Sequence, residues 1–290
     1  MTVSHFSSSK FTGPVIVNPM AVPRPEIRHV LFDFDGTLSL IREGWLEVML
    51  GMFQEIMPVS AHSTAEDDRR LLLDDITRLT GRQTVYQMIQ LAERVRERGG
   101  TPKDPLIYKR EYLRRLDQKI QGRIESLREG RHEPDQWLVW GARAALENLR
   151  GRGLALYLAS GTDEAAVKVE ARLLNIETFF GSHIYGALDD YKRFSKKIII
   201  ERILKENNIT GRELMGFGDG YVEIQNVKEA GGFAVAVATD EAHNGAGQMD
   251  PWKRDRLAKV GADIILPDFR DVTILLQQLF AETGVSKADQ

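Results

Sequence analysis

The stretch HVLFDFDGTL, residues 29–38, determines how the rest of the chain is interpreted. Its apolar run, VLF, ends a few residues before Gly36, which is typical of a buried strand that enters a tight turn. Because alternate residues of a strand point the same way, Asp33 and Asp35 are expected to face one site while Phe34 packs behind them. The stretch therefore predicts a strand that delivers two carboxylates to one place.

The remainder of the chain divides into a helical part and an alternating part. Helix formers and charges follow the first strand with no strand signal, and strands and helices alternate from about residue 136. This pattern predicts an α/β protein with a Rossmann-like parallel sheet and an inserted all-helical module. The predicted divisions are an N-terminal arm at 1–27, a core at 28–41 plus 136–290, and the helical module at 42–135.

The N-terminal arm is rich in Ser and Pro and contains a short apolar piece, PVIV. We interpret it as a surface arm, or as a cover for a sheet edge or a neighbouring subunit.

Polar residues follow the apolar strands at further places. Ser160 and Gly161 come after LYLA, Asp219 comes after GFG with Glu223 one helical turn later, and Lys196 opens the helix before that strand. In open parallel sheets, reactive groups gather at the carboxyl ends of the strands. These side chains are therefore expected to meet the carboxylates of the first strand.

Crowded carboxylates repel one another unless a cation lies among them. The chain has no cysteine and no histidine near these strand ends, so the ligands would be oxygens, which favours Mg²⁺. One carboxylate could then attack phosphorus while the second moves protons. A hydroxyl, a glycine N–H and a lysine ammonium would supply the donors that phosphoryl oxygens need.

Four segments, taken in order, resemble a known set of motifs. DFDGTL at 33–38, ASG at 159–161, the lysine that opens a helix, and GDGYVE at 218–223 are similar to the four motifs of the haloacid-dehalogenase superfamily, in its aspartate-nucleophile phosphatase branch. The likeness covers the predicted α/β core. It implies a hydrolase fold of that type, with the helical module as a cap.

The resemblance also implies roles for individual residues. Asp33 would be the nucleophile and Asp35 the general acid/base, and both would bind Mg²⁺ together with Asp219 and Glu223. Lys196 is preferred over its neighbour because its helix buries isoleucines behind it. Ser160, Gly161 and Lys196 would bind the phosphate, with Lys197 as the second choice for the lysine. Thr37 would steady the loop and is counted with the phosphate-binding positions.

The implied activity is hydrolysis of a phosphate ester. Asp35 distinguishes the chain from dehalogenases and phosphonate hydrolases of the same superfamily, and a large cap points to a small phosphorylated metabolite such as a sugar phosphate. Arg42, Glu43 and Arg82 are the cap residues expected to touch it. The alternatives to a phosphatase are a phosphosugar mutase of the same superfamily and a catalytically silent partner-binding protein.

Composition excludes several other classes. The 290 residues carry a net charge of −3, which gives no reason to expect a nucleic-acid partner. The absence of cysteine excludes a disulfide scaffold and a cysteine nucleophile. No apolar run is long enough to span a bilayer and the first residues do not form a secretory leader, so we expect a cytoplasmic protein. The sequence does not indicate an oligomeric state.

Overall fold

A computed structural model describes residues 15–17, 24–188 and 190–280. Within them, one sheet has the strands β1 (Ile16–Val17), β2 (His29–Phe32), β3 (Ala155–Asp163), β4 (Ile184–Ala187), β5 (Leu214–Gly218), β6 (Phe233–Val237) and β7 (Ile264–Leu266). Their order across the sheet is β1-β7-β6-β5-β2-β3-β4. Strands β2 to β7 are parallel, and β1 pairs with β7 in the antiparallel direction. The α/β class with a parallel-sheet core is confirmed.

Helices cover both faces of this sheet and also form the inserted part. The inserted helices are α1 (Trp45–Ile56), α2 (Ala65–Arg78), α3 (Thr84–Glu97) and α4 (Pro105–Arg128). The helices of the core are α5 (Ala142–Gly151), α6 (Glu164–Leu173), α7 (Glu177–Phe180), α8 (Lys196–Glu206), α9 (Tyr221–Glu229), α10 (Pro251–Lys259) and α11 (Val272–Leu279).

Strand β2 lies at the centre of the sheet and is buried on both faces. Phe32 belongs to the apolar layer under α5, α6, α7 and α11, whereas Leu31 belongs to the layer under α8 and α9. Neighbouring residues of a strand point to opposite faces, so an unbroken apolar run is what this position requires. The ring of Phe32 stacks on Phe217 of β5, with the ring centroids 4.8 Å apart. This packing fixes the strand end from which Asp33 emerges.

Two chain segments connect the inserted helices to the core and run side by side. The Leu40 amide donates to the Trp137 carbonyl at 2.8 Å, and the Val139 amide donates to the Leu38 carbonyl at 2.9 Å. The guanidinium of Arg123, on α4, donates to the Ile41 carbonyl at 2.8 Å. The chain therefore enters and leaves the inserted helices through two paired segments. The independence of the inserted helices as a cap domain stays a prediction.

The N-terminal arm differs from a plain surface arm where the structure describes it. Ile16 and Val17 extend the sheet beyond β7, in register with Ile265 and Ile264. Their backbone groups pair with a strand edge that would otherwise be open, which is the edge-cover alternative. Residues 1–14 and 18–23 of the predicted arm lie outside the described residues.

Within the described ranges, none of the helices combines the length and the apolarity that crossing a membrane would require.

Candidate active site

Three parallel strands end at one place and bring their polar residues together there. Strand β2 pairs with β3 on one side and with β5 on the other. Asp33 follows β2 and its amide donates to the Phe217 carbonyl at 2.9 Å, which continues the pairing by one residue. Ser160 lies in the last part of β3, and Asp219 follows β5. The sheet therefore places these side chains at the floor of one site.

A buried lysine connects two carboxylates in this floor. The ammonium of Lys196 lies 2.6 Å from Asp33 Oδ1 and also bonds Glu223 Oε1. The hydroxyl of Ser195 caps α8 by accepting from the Ile198 amide at 3.1 Å, which places Lys196 at the first helical position. All three charged side chains are at least nine-tenths buried.

Burial and charge shift the pKa values of these groups. Burial raises the pKa of Asp33 well above its usual range; Lys196 opposes this, and the carboxylates of Glu223 and Asp219 add to it. Burial alone would lower the pKa of Lys196, but Asp33 and Glu223 outweigh it and raise that pKa. Lys196 therefore remains an ammonium ion, and further positive charge beside Asp33 would lower the pKa of Asp33.

The turn after β2 packs directly on Asp219. Gly36 has φ of 73°, a conformation that other residues rarely adopt, and a Cβ there would collide with the carboxylates of Asp219 and Glu241. The hydroxyl of Thr37 lies 3.5 Å from Asp219 Oδ1, and Thr37 is fully buried. Thr37 therefore steadies the loop beside Asp219 and does not line the cavity above Asp33.

The second carboxylate of the first motif is held by hydroxyl groups. Asp35 Oδ2 accepts from Ser160 at 3.0 Å and from Thr162 at 2.8 Å. The guanidinium of Arg42 lies 3.7 Å from Asp35 Oδ1. Asp35 thus points into the same cavity as Asp33, between β3 and the first inserted residues.

The acidic residues fit a divalent cation. Asp33, Asp219 and Glu223 each offer an oxygen within 4.8 Å of the others. Glu223 Oε2 is buried and has no hydrogen-bond partner among the described residues, so it is an acceptor that a cation would satisfy. Oxygen-only donor sets suit the hard cations Mg²⁺ and Ca²⁺. These residues could therefore hold a divalent cation next to Asp33.

A small cavity of about 80 Å³ lies above these groups. Apolar side chains of the inserted helices form part of its roof, among them Trp45, Met49 and Leu116. A Cβ at Gly161 would collide with the Arg82 carbonyl, so the loop between α2 and α3 sits directly on Gly161. The inserted helices therefore close over the carboxylates.

The same loop is fastened to the core beside Lys196. The side-chain amide of Gln83 donates to the Tyr191 carbonyl at 2.6 Å and to the Phe194 carbonyl at 2.8 Å. Gln83 is itself buried. These bonds keep the inserted helices closed in this structure.

The structure places the three predicted substrate-contact residues differently. Arg42 lines the cavity, but Glu170 of α6 holds its guanidinium through bonds of 2.6 to 3.2 Å. Arg82 lines the cavity with an exposed side chain. Glu43 does not line it, because its carboxylate lies 2.6 Å from Arg123 at the connection between the two parts.

Replacing Glu170 by Ala is expected to lower the free energy of unfolding by about 3 kcal/mol, because the buried guanidinium of Arg42 loses its main partner. Urea denaturation measures this change. Glu164→Ala is the matched control on the same helix, since its partner Lys168 is near the surface and the expected loss is below about 1 kcal/mol. Equal losses in the two variants would contradict the importance of the buried pair.

Sequence reasoning missed four residues that touch this network. Thr162 follows Ser160 by two residues on β3, and this spacing could have indicated a second hydroxyl facing Asp35. Glu170 had no such signal, because its helix looks like an ordinary solvated one. Lys253 reaches Asp219 from a distant charged segment and is held there by Glu241, and nothing in their spacing indicates these contacts.

Comparison with protein families identifies the class of protein. The family of haloacid dehalogenase-like hydrolases matches residues 27–231. The match covers both flanks of the inserted helices and includes Asp33, Ser160, Lys196 and Asp219. The chain belongs to the haloacid dehalogenase-like hydrolase family.

Comparison with curated proteins found no match. Solved structures share the fold. A haloacid dehalogenase hydrolase of family IA, variant 3, from Entamoeba histolytica is 21% identical, with a TM-score of 0.57 over 86% of this chain and 97% of that chain. A predicted phosphoglycolate phosphatase from Haemophilus somnus is 13% identical, with a TM-score of 0.54 over 87% and 99%.

A candidate beta-phosphoglucomutase from Bacteroides vulgatus is 15% identical, with a TM-score of 0.57 over 89% of this chain and 92% of that chain. At such low identities the likeness of all three structures concerns the fold.

Proposed function

We propose that this protein is a Mg²⁺-dependent phosphatase that hydrolyses a small phosphorylated metabolite through an aspartyl phosphate on Asp33. The observation that carries the proposal is the buried Lys196, which bridges Asp33 and Glu223 beside Asp219 at the floor of a roofed cavity. Membership of the hydrolase family supports the same interpretation.

Asp33 is the proposed nucleophile. One of its oxygens forms a bond to phosphorus while the bond between phosphorus and the leaving oxygen breaks. Mg²⁺ bound by Asp33, Asp219 and Glu223 would neutralise phosphoryl charge and keep Asp33 ionised. Lys196 holds the carboxylate of Asp33 in place, since its buried ammonium lies 2.6 Å from Asp33 Oδ1.

Asp35 is the proposed general acid and base. It gives a proton to the leaving oxygen in the first step, and takes one from the water that attacks the aspartyl phosphate in the second. Water attack releases inorganic phosphate and restores Asp33. Asp35 accepts hydrogen bonds from the hydroxyls of Ser160 and Thr162. When substrate binds, the Ser160 hydroxyl is expected to turn from Asp35 and donate to a phosphoryl oxygen, while Thr162 keeps Asp35 in place. Gly161 is expected to add its backbone N–H.

The size of the cavity supports a small substrate. Cavities that hold drug-sized ligands measure about 300–1,000 Å³, whereas this one measures about 80 Å³. A phosphate ester larger than a few atoms therefore requires the inserted helices to move, and the bonds of Gln83 to the core would have to break and re-form. Such closure excludes water from the first step.

A screen of phosphorylated metabolites and para-nitrophenyl phosphate, scored by released phosphate, tests the proposal. We expect release with Mg²⁺ present, no release with EDTA, and restored release when Mg²⁺ is added in excess. Release that persists in EDTA would contradict the metal dependence.

A phosphosugar mutase would instead convert a sugar phosphate to its isomer with little free phosphate, so product analysis separates the two activities. If no compound of the panel reacts although Mg²⁺ binds, the silent partner-binding alternative is favoured.

A further inference from the structure

A second buried lysine reaches the acidic cluster from outside the known motifs. The ammonium of Lys253 lies 2.8 Å from Asp219 Oδ2 and 2.7 Å from Glu241 Oε1. Lys253 and Glu241 expose only 14% and 15% of their side chains, and Asp219 exposes 8%. This bridge resembles the Lys196 bridge in joining two carboxylates through one ammonium, although its lysine is less deeply buried.

Lys253 and its second partner, Glu241, both lie beyond the part of the chain that the family match covers. The match ends at residue 231, whereas Glu241 follows β6 and Lys253 lies in the first turn of α10. The carboxylate of Asp250 caps α10 and accepts from the Lys253 amide at 2.7 Å. The cap fixes the backbone of Lys253, so its side chain reaches Asp219 from a defined point.

The Lys253 bond limits how Asp219 can bind a cation. A carboxylate binds a cation through one oxygen or through both, and an ammonium bonded to one oxygen makes binding through both less favourable, because it occupies a lone pair and repels the cation. The ammonium holds Oδ2 at 2.8 Å, whereas Oδ1 meets only the Thr37 hydroxyl at the long distance of 3.5 Å, so Oδ1 is the oxygen of Asp219 more available to a cation. Ca²⁺ takes 6–8 oxygens and readily uses both oxygens of a carboxylate, whereas Mg²⁺ takes six at shorter distances.

We propose that Lys253 is a positioning residue that makes Asp219 a one-oxygen ligand and so favours Mg²⁺ over Ca²⁺. The inference rests on the proposed metal dependence. Glu241 complements Lys253, because it neutralises an ammonium that would otherwise repel a cation bound by Asp219. The pair therefore sets the geometry of Asp219 with little added positive charge.

Mn²⁺ binding followed by electron paramagnetic resonance, with Mg²⁺ and Ca²⁺ as competitors and no substrate present, tests this proposal. The quantity measured is the ratio of the Ca²⁺ to the Mg²⁺ dissociation constant. Lys253→Met is expected to lower this ratio about tenfold, at the low end of the 10–100-fold effects known for groups that orient metal ligands. Lys253→Arg, which still donates to Asp219, is expected to restore most of it.

Two further variants keep the test decisive. The double variant Lys253→Met with Glu241→Gln removes both charges of the bridge together, so it leaves no unpaired carboxylate at 241, and it is expected to show the same fall. Lys228→Met is the matched control, because Lys228 lies 2.7 Å from the buried Asp263, away from the cluster, and its ratio is expected to stay unchanged.

The outcomes separate this inference from the proposed function. A ratio that stays at the wild-type value in Lys253→Met and in the double variant, while the wild type binds Mg²⁺ and hydrolyses phosphate esters, would overturn the role of Lys253 alone. A fall of equal size in Lys228→Met would also overturn it, since the effect would then be one of general destabilisation. A wild-type protein that binds none of the three cations would overturn the proposed metal dependence as well.

Discussion

Replacing Asp33 by Asn is expected to lower the turnover number for phosphate esters by at least about 10⁴-fold, the scale seen when a nucleophile is removed from a catalytic unit that works as a whole. The amide of Asn fits the same space and can still accept a hydrogen bond from Lys196, so the fold is expected to persist. Steady-state release of phosphate measures the effect, and circular dichroism checks the fold.

The interpretation of Asp33→Asn depends on a comparison with Asp35→Asn. Loss of the general acid and base is expected to cost about 10²–10⁴-fold, and less for para-nitrophenyl phosphate, because that leaving group hardly needs a proton. An Asp33→Asn variant that loses less activity than Asp35→Asn, for para-nitrophenyl phosphate and for a metabolite of the panel alike, would contradict the assignment of the nucleophile.

Replacing Lys196 by Met is expected to reduce activity by about 10²–10³-fold, the cost of removing one preorganised charge from a site. The variant also leaves Asp33 and Glu223 as buried carboxylates without their shared cation, which is expected to lower the free energy of unfolding of the metal-free protein by about 3–5 kcal/mol. Phosphate release and urea denaturation in EDTA measure the two effects. Added Mg²⁺ is expected to recover part of the lost stability.

Lys197→Met is the matched control for this variant. The neighbouring side chain is 60% exposed, and its ammonium lies 3.6 Å from Glu229 on the surface of α9. Its removal is expected to change stability by no more than about 0.5 kcal/mol and to leave activity within about twofold. Loss of activity in Lys197→Met with little change in Lys196→Met would contradict the choice of the lysine.

The parts of the fold that the sequence predicts are those governed by local patterns. The apolar run before Asp33 required a central strand, and Ser195 marked the start of α8 as a helix cap. The residues at three strand ends meet because parallel strands share an edge, a rule that needs no knowledge of distant contacts. Their catalytic roles stay predictions until the variants are measured.

The parts that the sequence did not predict depend on contacts between distant segments. In the sequence, Glu170 looks like an exposed helical residue. In the structure it is covered by Arg42, which lies 128 residues earlier, before the inserted helices begin. Lys253 lies in a run, MDPWKRDR, that resembles a solvated surface, and only the packing of α10 turns it toward Asp219. The two-residue strand at Ile16–Val17 is too short for periodicity to distinguish from a coil.

The central claim is that the phosphoryl group of the substrate is transferred to the carboxylate of Asp33. A reaction stopped in acid and reduced with borohydride converts an aspartyl phosphate to homoserine, and peptide mass spectrometry locates the converted position. We expect conversion at Asp33 in the wild type when Mg²⁺ and a hydrolysed substrate are present, and none without substrate or in Asp33→Asn. Conversion at another aspartate during steady turnover would contradict the account.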